Sequence, residues 1–281
     1  MTKIKLLIFC ALAAVCLLSC KSDNAEQQAR ERVSQARTLM QEGNLEAAKL
    51  QLDSVHILFR QQVNVRREAA ALHDSIAILE AERTAAYADS MLQTLLPQVD
   101  PLLKKFRYEK DEKYEDNGQY VSRLLQTVSN SERCFIQAYV GDNRLTRVKS
   151  YYYGSTALIQ SDLELCVMPD EQCNNWQGSE HHFSSDADGF HSILTVEGDE
   201  AIGLLAFIAA NPDARIRVRL QGKNSKGKEV APYVYYLAKN EKAALIETLQ
   251  LATLFHDINR LEEMMNTCKK QLNKLQNKHI Q

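Results

Sequence analysis

The sequence predicts an α+β protein in which long helical or coiled-coil arms, an N-terminal helical hairpin and a C-terminal helix, flank a small, mainly antiparallel β-containing domain. Between residues 25 and 96 the only glycine is Gly43 and there is no proline, a composition that favours long helices. After Asn130, short runs rich in β-branched and aromatic residues are typical of strands. Residues 251–275 then repeat apolar side chains at spacings that alternate between three and four, the pattern of a coiled coil.

The N-terminal arm is predicted over residues 25–105. The junction between its first two helical runs contains Ala36, Leu39, Gly43, Leu45 and Ala48. This set resembles the helix–turn–helix of one tetratricopeptide repeat, but such repeats need about three copies to bury a continuous core, so we interpret it as a helical hairpin. The apolar pattern then continues to residue 96. A single helix over residues 45–96 would be about 75 Å long and would end at Pro97.

The β-containing domain is predicted over residues 106–238. Its candidate strands are residues 135–140, 145–153, 163–167, 191–196, 215–220 and 233–237. Gly141-Asp142-Asn143 supplies turn chemistry between the first two strands, which favours hairpins and therefore antiparallel pairing. Residues 200–210 favour a helix that ends before Pro212, and residues 120–128 indicate another short helix.

A C-terminal coiled-coil helix is predicted over residues 239–281. Its apolar seam consists of Leu251, Leu254, Ile258, Leu261, Met265, Cys268, Leu272 and Leu275. Glutamate and lysine residues lie beside the seam, as is usual in coiled coils. Two interpretations stay open: the seam pairs antiparallel with the first arm to form a stalk, or it pairs with another molecule.

Residues 1–19 form a predicted signal peptide. Lys3 and Lys5 give it a positive start, and residues 6–18 are all apolar or small. A transmembrane helix needs about 20 apolar residues, so this run is too short to be one. The run ends in the sequence Leu17-Leu18-Ser19-Cys20.

This ending resembles the lipobox of bacterial lipoproteins. The resemblance implies that the leader is cleaved before Cys20, that the Cys20 thiol carries acyl chains such as palmitate, and that residues 20–24 form a lipidated tether to the membrane. Lys21-Ser22-Asp23 offers no inner-membrane retention signal, so the expected location is the cell envelope, with the outer membrane favoured over the inner. The alternative is an ordinary cleaved leader with an incidental cysteine.

The charge balance excludes one class of partner. The formal net charge is −2 at pH 7, and residues 1–19 hold two lysines and no acidic residue, so cleavage would change it to −4. Nucleic-acid-binding domains need a concentrated basic surface. We therefore predict no nucleic-acid partner.

The cysteines that remain after cleavage suggest one disulfide. Cys166 and Cys173 border the same irregular loop, and the cell envelope permits disulfides, so these two are the candidate pair. No C-x-x-C motif is present, which argues against a zinc site.

No metal or other cofactor is predicted. The residues of metal-ligand type crowd one irregular stretch and are His181, His182, Asp186 and Asp188. Residues 184–189 imitate the first half of a calcium loop, but Thr195 takes the twelfth position, where a bidentate glutamate belongs. Residues 222–228 imitate a phosphate-binding loop, but Glu229 follows where serine or threonine is required, so we interpret them as a lysine-rich hairpin loop.

Arg215, Arg217 and Arg219 form a candidate ligand-binding patch. They alternate with apolar residues, so their guanidinium groups are expected on one face of a strand, and Lys223 lies just beyond. Such a patch would take an acidic glycan, a lipid headgroup or an acidic partner. The alternative is an ordinary solvated sheet face.

The overall layout also resembles a group of bacterial proteins. The stretch from Phe106 to Gly118, the strand from Ala214 to Val218 and the final coil resemble coiled-coil envelope lipoproteins of Bacteroidota. That resemblance brings no activity with it, and the G-x-S-x-G, H-E-x-x-H and G-x-G-x-x-G motifs are absent.

We therefore expect a non-enzymatic cell-envelope lipoprotein, a structural or adaptor protein that presents a small head domain on a helical stalk. Its partners would be the membrane, through Cys20, and either an envelope protein or another copy of itself through the coiled coil. The alternative function is a module that binds a glycan or another anionic ligand on the arginine face. An unfamiliar envelope enzyme is the third hypothesis.

Overall fold

The computed structural model describes residues 24–110, 117–125 and 133–280. The predicted signal peptide, Cys20 and the first residues of its tether lie outside the described residues. Helices and antiparallel sheets make up the described chain, which confirms the α+β class. Among the described residues, no helix has the length and apolar character needed to cross a membrane.

The chain divides into two compact units. The first, here called the helical unit, is Met1–Ser90 with Glu262–Gln281, of which residues 24–90 and 262–280 are described. The second, the β unit, is Met91–Leu261.

The helical unit begins with a helical hairpin. The described part of helix α1 is residues 24–41, helix α2 is Leu45–Leu58, and helix α3 is Val63–Leu95. Gly43 has φ +81°, a conformation that costs glycine nothing, and Asn44 caps α2 by accepting a hydrogen bond from the Ala47 amide at 3.3 Å. The core of this unit is small and rich in alanine: Ala29, Val33, Ala36, Leu45, Ala48, Leu52, Val55, Val65, Ala69, Leu72 and Ile76.

The prediction of one helix over residues 45–96 is wrong. The chain leaves the helical conformation at Phe59, which has φ −116° and ψ 51°, and α3 starts again at Val63. The turn allows Leu52 and Val55 of α2 to share a core with α3, so tertiary packing prevails over local helix propensity. No glycine or proline marks this turn in the sequence.

Pro97 and Pro101 accompany the end of α3. A single 3-10 turn, Leu96–Gln98, leads into the short helix α4, Val99–Leu103.

The last helix of the chain is α6, Lys239–Ile280. Four residues of its apolar seam in the β unit are buried, namely Leu251, Leu254, Ile258 and Leu261. In the helical unit, Cys268 is buried and Lys278 Nζ lies 2.6 Å from Asp74 Oδ2 of α3.

The β unit contains two antiparallel sheets. The six-stranded sheet has the order β1-β2-β3-β4-β8-β7, and the four-stranded sheet has the order β10-β9-β5-β6. The strands of the first sheet are β1 Phe106–Glu109, β2 Gln119–Ser122, β3 Phe135–Gly141, β4 Thr146–Gly154, β7 Glu180–Ser185 and β8 Phe190–Glu197. Those of the second are β5 Ile159–Met168, β6 Gln172–Gln177, β9 Arg215–Lys223 and β10 Tyr233–Tyr236.

The core of the β unit consists of large aliphatic and aromatic side chains. Alternate residues of both sheets pack with helix α5, Gly198–Ala209, and with the first turns of α6. The largest fully buried side chains of this core include Ile136, Leu158, Leu163, Leu165, Leu194, Leu204, Leu205, Ile208, Ile216 and Leu220.

The six strands expected from sequence are present, and the antiparallel prediction is confirmed. The short helix expected over residues 120–128 is wrong where it is described, since Gln119–Ser122 is strand β2. The sequence does not predict strand β1. It predicts an irregular loop where the structure has strands β6 and β7. Both are polar edge-region strands with mostly exposed residues, so they show little of the hydrophobic alternation that reveals a strand.

Candidate functional site

An open cleft of about 620 Å³ lies in the β unit beside strands β5, β7 and β8 and the loop between β9 and β10. Several of its lining residues carry hydrogen-bonding or charged side chains, namely Ser161, Asp162, Gln177, His181, Lys223 and Asn224. Concave sites with a few convergent polar groups are the usual places for small-molecule or sugar binding. We refer to this site as the polar cleft.

Two glycines allow the strands around the polar cleft to approach closely. A Cβ atom on Gly222 would lie 1.9 Å from the carbonyl oxygen of Ile159, and one on Gly178 would lie 2.2 Å from Leu194 Cδ1. The register of β5 against β9 also shifts between Gln160 and Asp162. Any side chain at Gly178 or Gly222 would therefore push the walls of the cleft apart.

A buried polar network fixes the inner wall of the polar cleft. Gln160 Nε2 donates to the Ser192 carbonyl at 2.8 Å and to the Ser150 carbonyl at 3.0 Å, while Gln160 Oε1 accepts from Ser150 Oγ at 2.8 Å. The Gln160 amide donates to Ser192 Oγ at 3.1 Å. Because Gln160 is in β5 and the two serines are in β4 and β8, this network ties the two sheets together.

The polar cleft presents mixed charge. Asp162 accepts hydrogen bonds from Ser161 Oγ at 2.6 Å and Asn175 Nδ2 at 3.2 Å. Lys223, which also lines the cleft, has its Nζ 3.6 Å from Glu229, and both side chains are exposed. One carboxylate, one ammonium and several neutral donors and acceptors suit a polar ligand with many hydroxyl groups better than a highly charged anion.

The arginine patch lies on one face of β9, as the alternation predicts, and its members have partners in the protein. Arg217 Nη1 lies 3.0 Å from Glu171 and Arg219 Nη1 lies 3.5 Å from Glu164. The Arg215 guanidinium stacks on the Tyr236 ring with 3.7 Å to the ring centroid. Lys223, the fourth residue of the predicted site, lines the polar cleft. Internal carboxylates thus balance much of the positive charge on this face.

The candidate metal ligands do not come together in the described part of the chain. His181 and His182 are successive residues of strand β7, so their side chains point to opposite faces. Asp186 Oδ1 accepts from the amides of Asp188 and Gly189, both at 2.9 Å, and Asp186 Oδ2 lies 2.9 Å from His191 Nε2. These amide donors, led by that of Asp188, lower the pKa of the Asp186 carboxyl.

Asp186 therefore organises the turn between β7 and β8. The three ligand-type residues that do cluster among the described residues are Glu164, Cys166 and Cys173. Cys166 and Cys173 are bonded to each other as a disulfide across the β5–β6 pair, so their sulfurs are not free to bind an ion.

Among the described residues of the β unit, Cys134 has the free thiol and is therefore the candidate for a nucleophilic cysteine. Its Sγ donates to the Tyr153 carbonyl and accepts from the Tyr153 amide, both at 3.4 Å. Burial raises the pKa of this thiol. A thiol held protonated is a poor nucleophile, so its setting favours a structural role.

The sequence did not reveal most residues of the polar cleft. The sequence indicates Lys223 and His181 as candidates for other sites, whereas Ser161, Asp162, Gln177 and Asn224 belong to no recognisable motif. The sequence signal that could have indicated the polar cleft is the position of Gly178 and Gly222, because the chain has only ten glycines and these two lie where strands approach closely. Compared with protein-family models, curated proteins and solved structures, the chain has no match in any of the three.

Proposed function

We propose that this protein is a non-enzymatic, lipid-anchored protein of the cell envelope that acts as a structural or adaptor protein. The observation that carries the proposal is the division of the chain: the unit that contains residue 24, soon after Cys20 in sequence, is helical in its described part, and a separate β unit contains an open polar cleft. In this proposal the helical arms serve as a stalk, and the β unit is the head that meets a partner.

The lipid anchor is tested by Cys20→Ala. Metabolic labelling with palmitate is expected to mark the parent protein and to fail for the variant, and the variant is expected to leave the membrane fraction. A parent protein that is released after cleavage and carries no acyl chain contradicts the anchor.

The adaptor role is tested in the intact envelope. A photo-crosslinking residue at Lys226, on the exposed loop of the β unit, is expected to give one discrete protein adduct. A matched probe at Arg260 provides the control, because Arg260 also belongs to the β unit but lies on α6, away from that loop in sequence. A compact, monomeric particle that gives no adduct at either position contradicts the adaptor role.

A second function is favoured by the polar cleft itself. Asp162, His181 and Lys223 line one cavity with neutral amide side chains, which supports binding of a glycan with few charges. The partners of the arginine face make the polar cleft a better site for such a ligand than Arg215, Arg217 and Arg219.

Binding to a glycan array, followed by calorimetry, separates these sites. Asp162→Ala and Lys223→Ala are expected to abolish binding, whereas Arg219→Ala is the matched control and is expected to retain it. If only Arg219→Ala loses binding, the glycan site is on the arginine face and not in the polar cleft. If the parent protein binds no glycan, the glycan-binding function is wrong.

A further inference from the structure

The turn between α2 and α3 exposes large apolar side chains. Ile57 is 61 % exposed, Leu58 is 62 % exposed and Val63 is 59 % exposed. These three aliphatic residues lie within one short segment of the helical unit. Single exposed apolar residues are common, but a group of this kind indicates a surface that contacts something apolar.

The same segment is basic. Residues 54–67 contain Arg60, Arg66, Arg67 and His56 and no acidic residue, although the whole chain has a net charge of −2. Arg60 and Arg67 are exposed. Apolar side chains flanked by arginine are the composition of protein surfaces that sit at the interface of an anionic bilayer.

The turn holds a defined shape. The Phe59 amide donates to the Val55 carbonyl at 3.2 Å, and the Gln62 amide donates to the Phe59 carbonyl at 3.0 Å. Arg66 Nη1 donates to the Arg60 carbonyl at 3.1 Å, and Phe59 packs against the core of the helical unit. Since Phe59 faces inward, its exposed neighbours face away from that core.

The register of the hairpin brings the turn close to the proposed anchor. Arg32 Nη1 of α1 donates to Gln51 Oε1 of α2 at 2.9 Å, and the two helices are antiparallel neighbours joined at Gly43. Counting outward from that pair places residue 24 at the level of Phe59. From Cys20 to residue 24, the chain spans at most about 14 Å even when fully extended.

We propose that the α2–α3 turn of the helical unit seats on the surface of an anionic bilayer beside the lipid anchor. Ile57, Leu58 and Val63 enter the headgroup and upper acyl region, and the arginines meet lipid phosphates. The inference rests on the proposed lipid anchoring at Cys20 and adds a second, protein-based membrane contact to it. Such a contact would restrict how the helical unit is oriented on the bilayer more than a lipid anchor alone would.

The test uses tryptophan placed at the turn and fluorescence quenching by lipids with brominated acyl chains. The mature chain, with a histidine tag in place of residues 1–20, is tethered to vesicles of phosphatidylcholine and phosphatidylglycerol that contain a nickel-chelating lipid. Leu58→Trp is the probe. Leu50→Trp is the matched control, because Leu50 is 67 % exposed on the same helix and about 12 Å farther from the turn.

The expected result is loss of fluorescence in Leu58→Trp beyond the background of Trp176, the single tryptophan of the parent chain, with no extra loss in Leu50→Trp. Adding Arg60→Gln and Arg67→Gln, or omitting phosphatidylglycerol, is expected to reduce the quenching. Lys226→Gln with Lys228→Gln, which removes two exposed cations from the β unit, is expected to leave it unchanged. Circular dichroism verifies that each variant is folded.

Equal quenching at positions 50 and 58, or none at either, overturns the proposal. A turn that stays unquenched on the vesicle would instead be free to face a protein. Because the nickel lipid supplies the tether, these outcomes do not depend on acylation, which is measured separately by the mass of the N-terminal peptide. If Cys20 is acylated and the turn is not quenched, the membrane contact of the turn is wrong and the proposed function stands. If the turn is quenched and Cys20 is not acylated, the lipid anchor is wrong and the membrane contact of the turn stands.

Discussion

The helical unit and the β unit differ in where they place their unusual side chains. Among the described residues, the large hydrophobic side chains that are more than 55 % exposed all belong to the helical unit: Leu50, Ile57, Leu58, Val63 and Tyr87. In the β unit the most exposed one, Tyr108, reaches 50 %. The β unit instead buries polar side chains, with Gln160, Ser150 and Ser192 all at 1 % exposure or less.

This difference indicates a division of roles. Single exposed apolar residues such as Leu50 are common, but the group at the α2–α3 turn indicates a surface that contacts something apolar, so this turn is the part of the helical unit proposed to touch a membrane. A buried polar network that is fully hydrogen-bonded specifies one geometry, so the β unit is the part expected to hold a binding surface rigidly.

The largest expected effect is on the free energy of unfolding, and it compares a buried with an exposed leucine of the helical unit. Leu52→Ala should lower the free energy of unfolding by about 2–5 kcal/mol, because Leu52 is fully buried and its removal leaves a cavity. Leu50→Ala, two residues away and exposed, should change it by less than about 0.5 kcal/mol. Urea unfolding followed by circular dichroism measures both, and equal effects would show that Leu50 is covered within the chain.

The next effect tests the polar network of the β unit. Gln160→Leu should destabilise the β unit by about 2–3 kcal/mol, because the buried carbonyls of Ser150 and Ser192 lose their donors. The matched control is Gln172→Leu, since Gln172 is exposed on β6. The fluorescence of Trp176, which is in the core of the β unit, reports the unfolding. A neutral Gln160→Leu would mean that the network does not hold the two sheets together.

A third effect concerns the covalent link in the β unit. Replacing Cys166 and Cys173 together by alanine should cost about 2 kcal/mol, the amount expected for a short loop that the disulfide closes in the unfolded chain. Reductant should lower the urea midpoint of the parent protein to that of the variant and leave the variant unchanged. If reductant does not change the urea midpoint of the parent protein, the disulfide does not contribute to stability and packing alone stabilises this strand pair.

The elements visible in the sequence were those with a strong hydrophobic period. Strands β4 and β9 alternate buried and less buried residues, β3 is a short run of almost entirely buried residues, and the seam of α6 keeps its spacing over many turns, so the sequence pattern predicts all four. The arginine face followed from the same alternation. Its counterions, Glu164 and Glu171, come from strand β5 and the turn after it, and sequence spacing does not reveal such pairs.

The features that the sequence did not reveal depend on distant contacts. The polar strands β6 and β7 are stable because they pair with β5 and β8, not because of their own residues. The turn at Phe59 has no breaker residue and exists because α2 and α3 share a core. The polar cleft combines side chains from several strands of two sheets, so only the register of both sheets brings them together.

The smallest expected effect compares a turn in each unit. In the helical unit, Arg66 donates to the Arg60 carbonyl, whereas in the β unit the carboxylate of Asp186 accepts from two backbone amides and titrates. The pKa of Asp186 is lowered in the folded protein, so its contribution is complete above the unfolded value of about 3.9 and is lost as pH falls through the lower folded value.

Acidification should therefore loosen the β7–β8 turn while the α2–α3 turn keeps its shape. The amide resonances of Asp188 and Gly189 should move together below pH 4, and Asp186→Asn, which keeps an acceptor oxygen, should remove that titration without unfolding the strands. The Phe59 and Gln62 amides serve as the internal control, because their acceptors are backbone carbonyls that do not titrate. Shifts of equal size in both turns would mean that acid acts on the protein as a whole, and the proposed difference between the two turns would then be wrong.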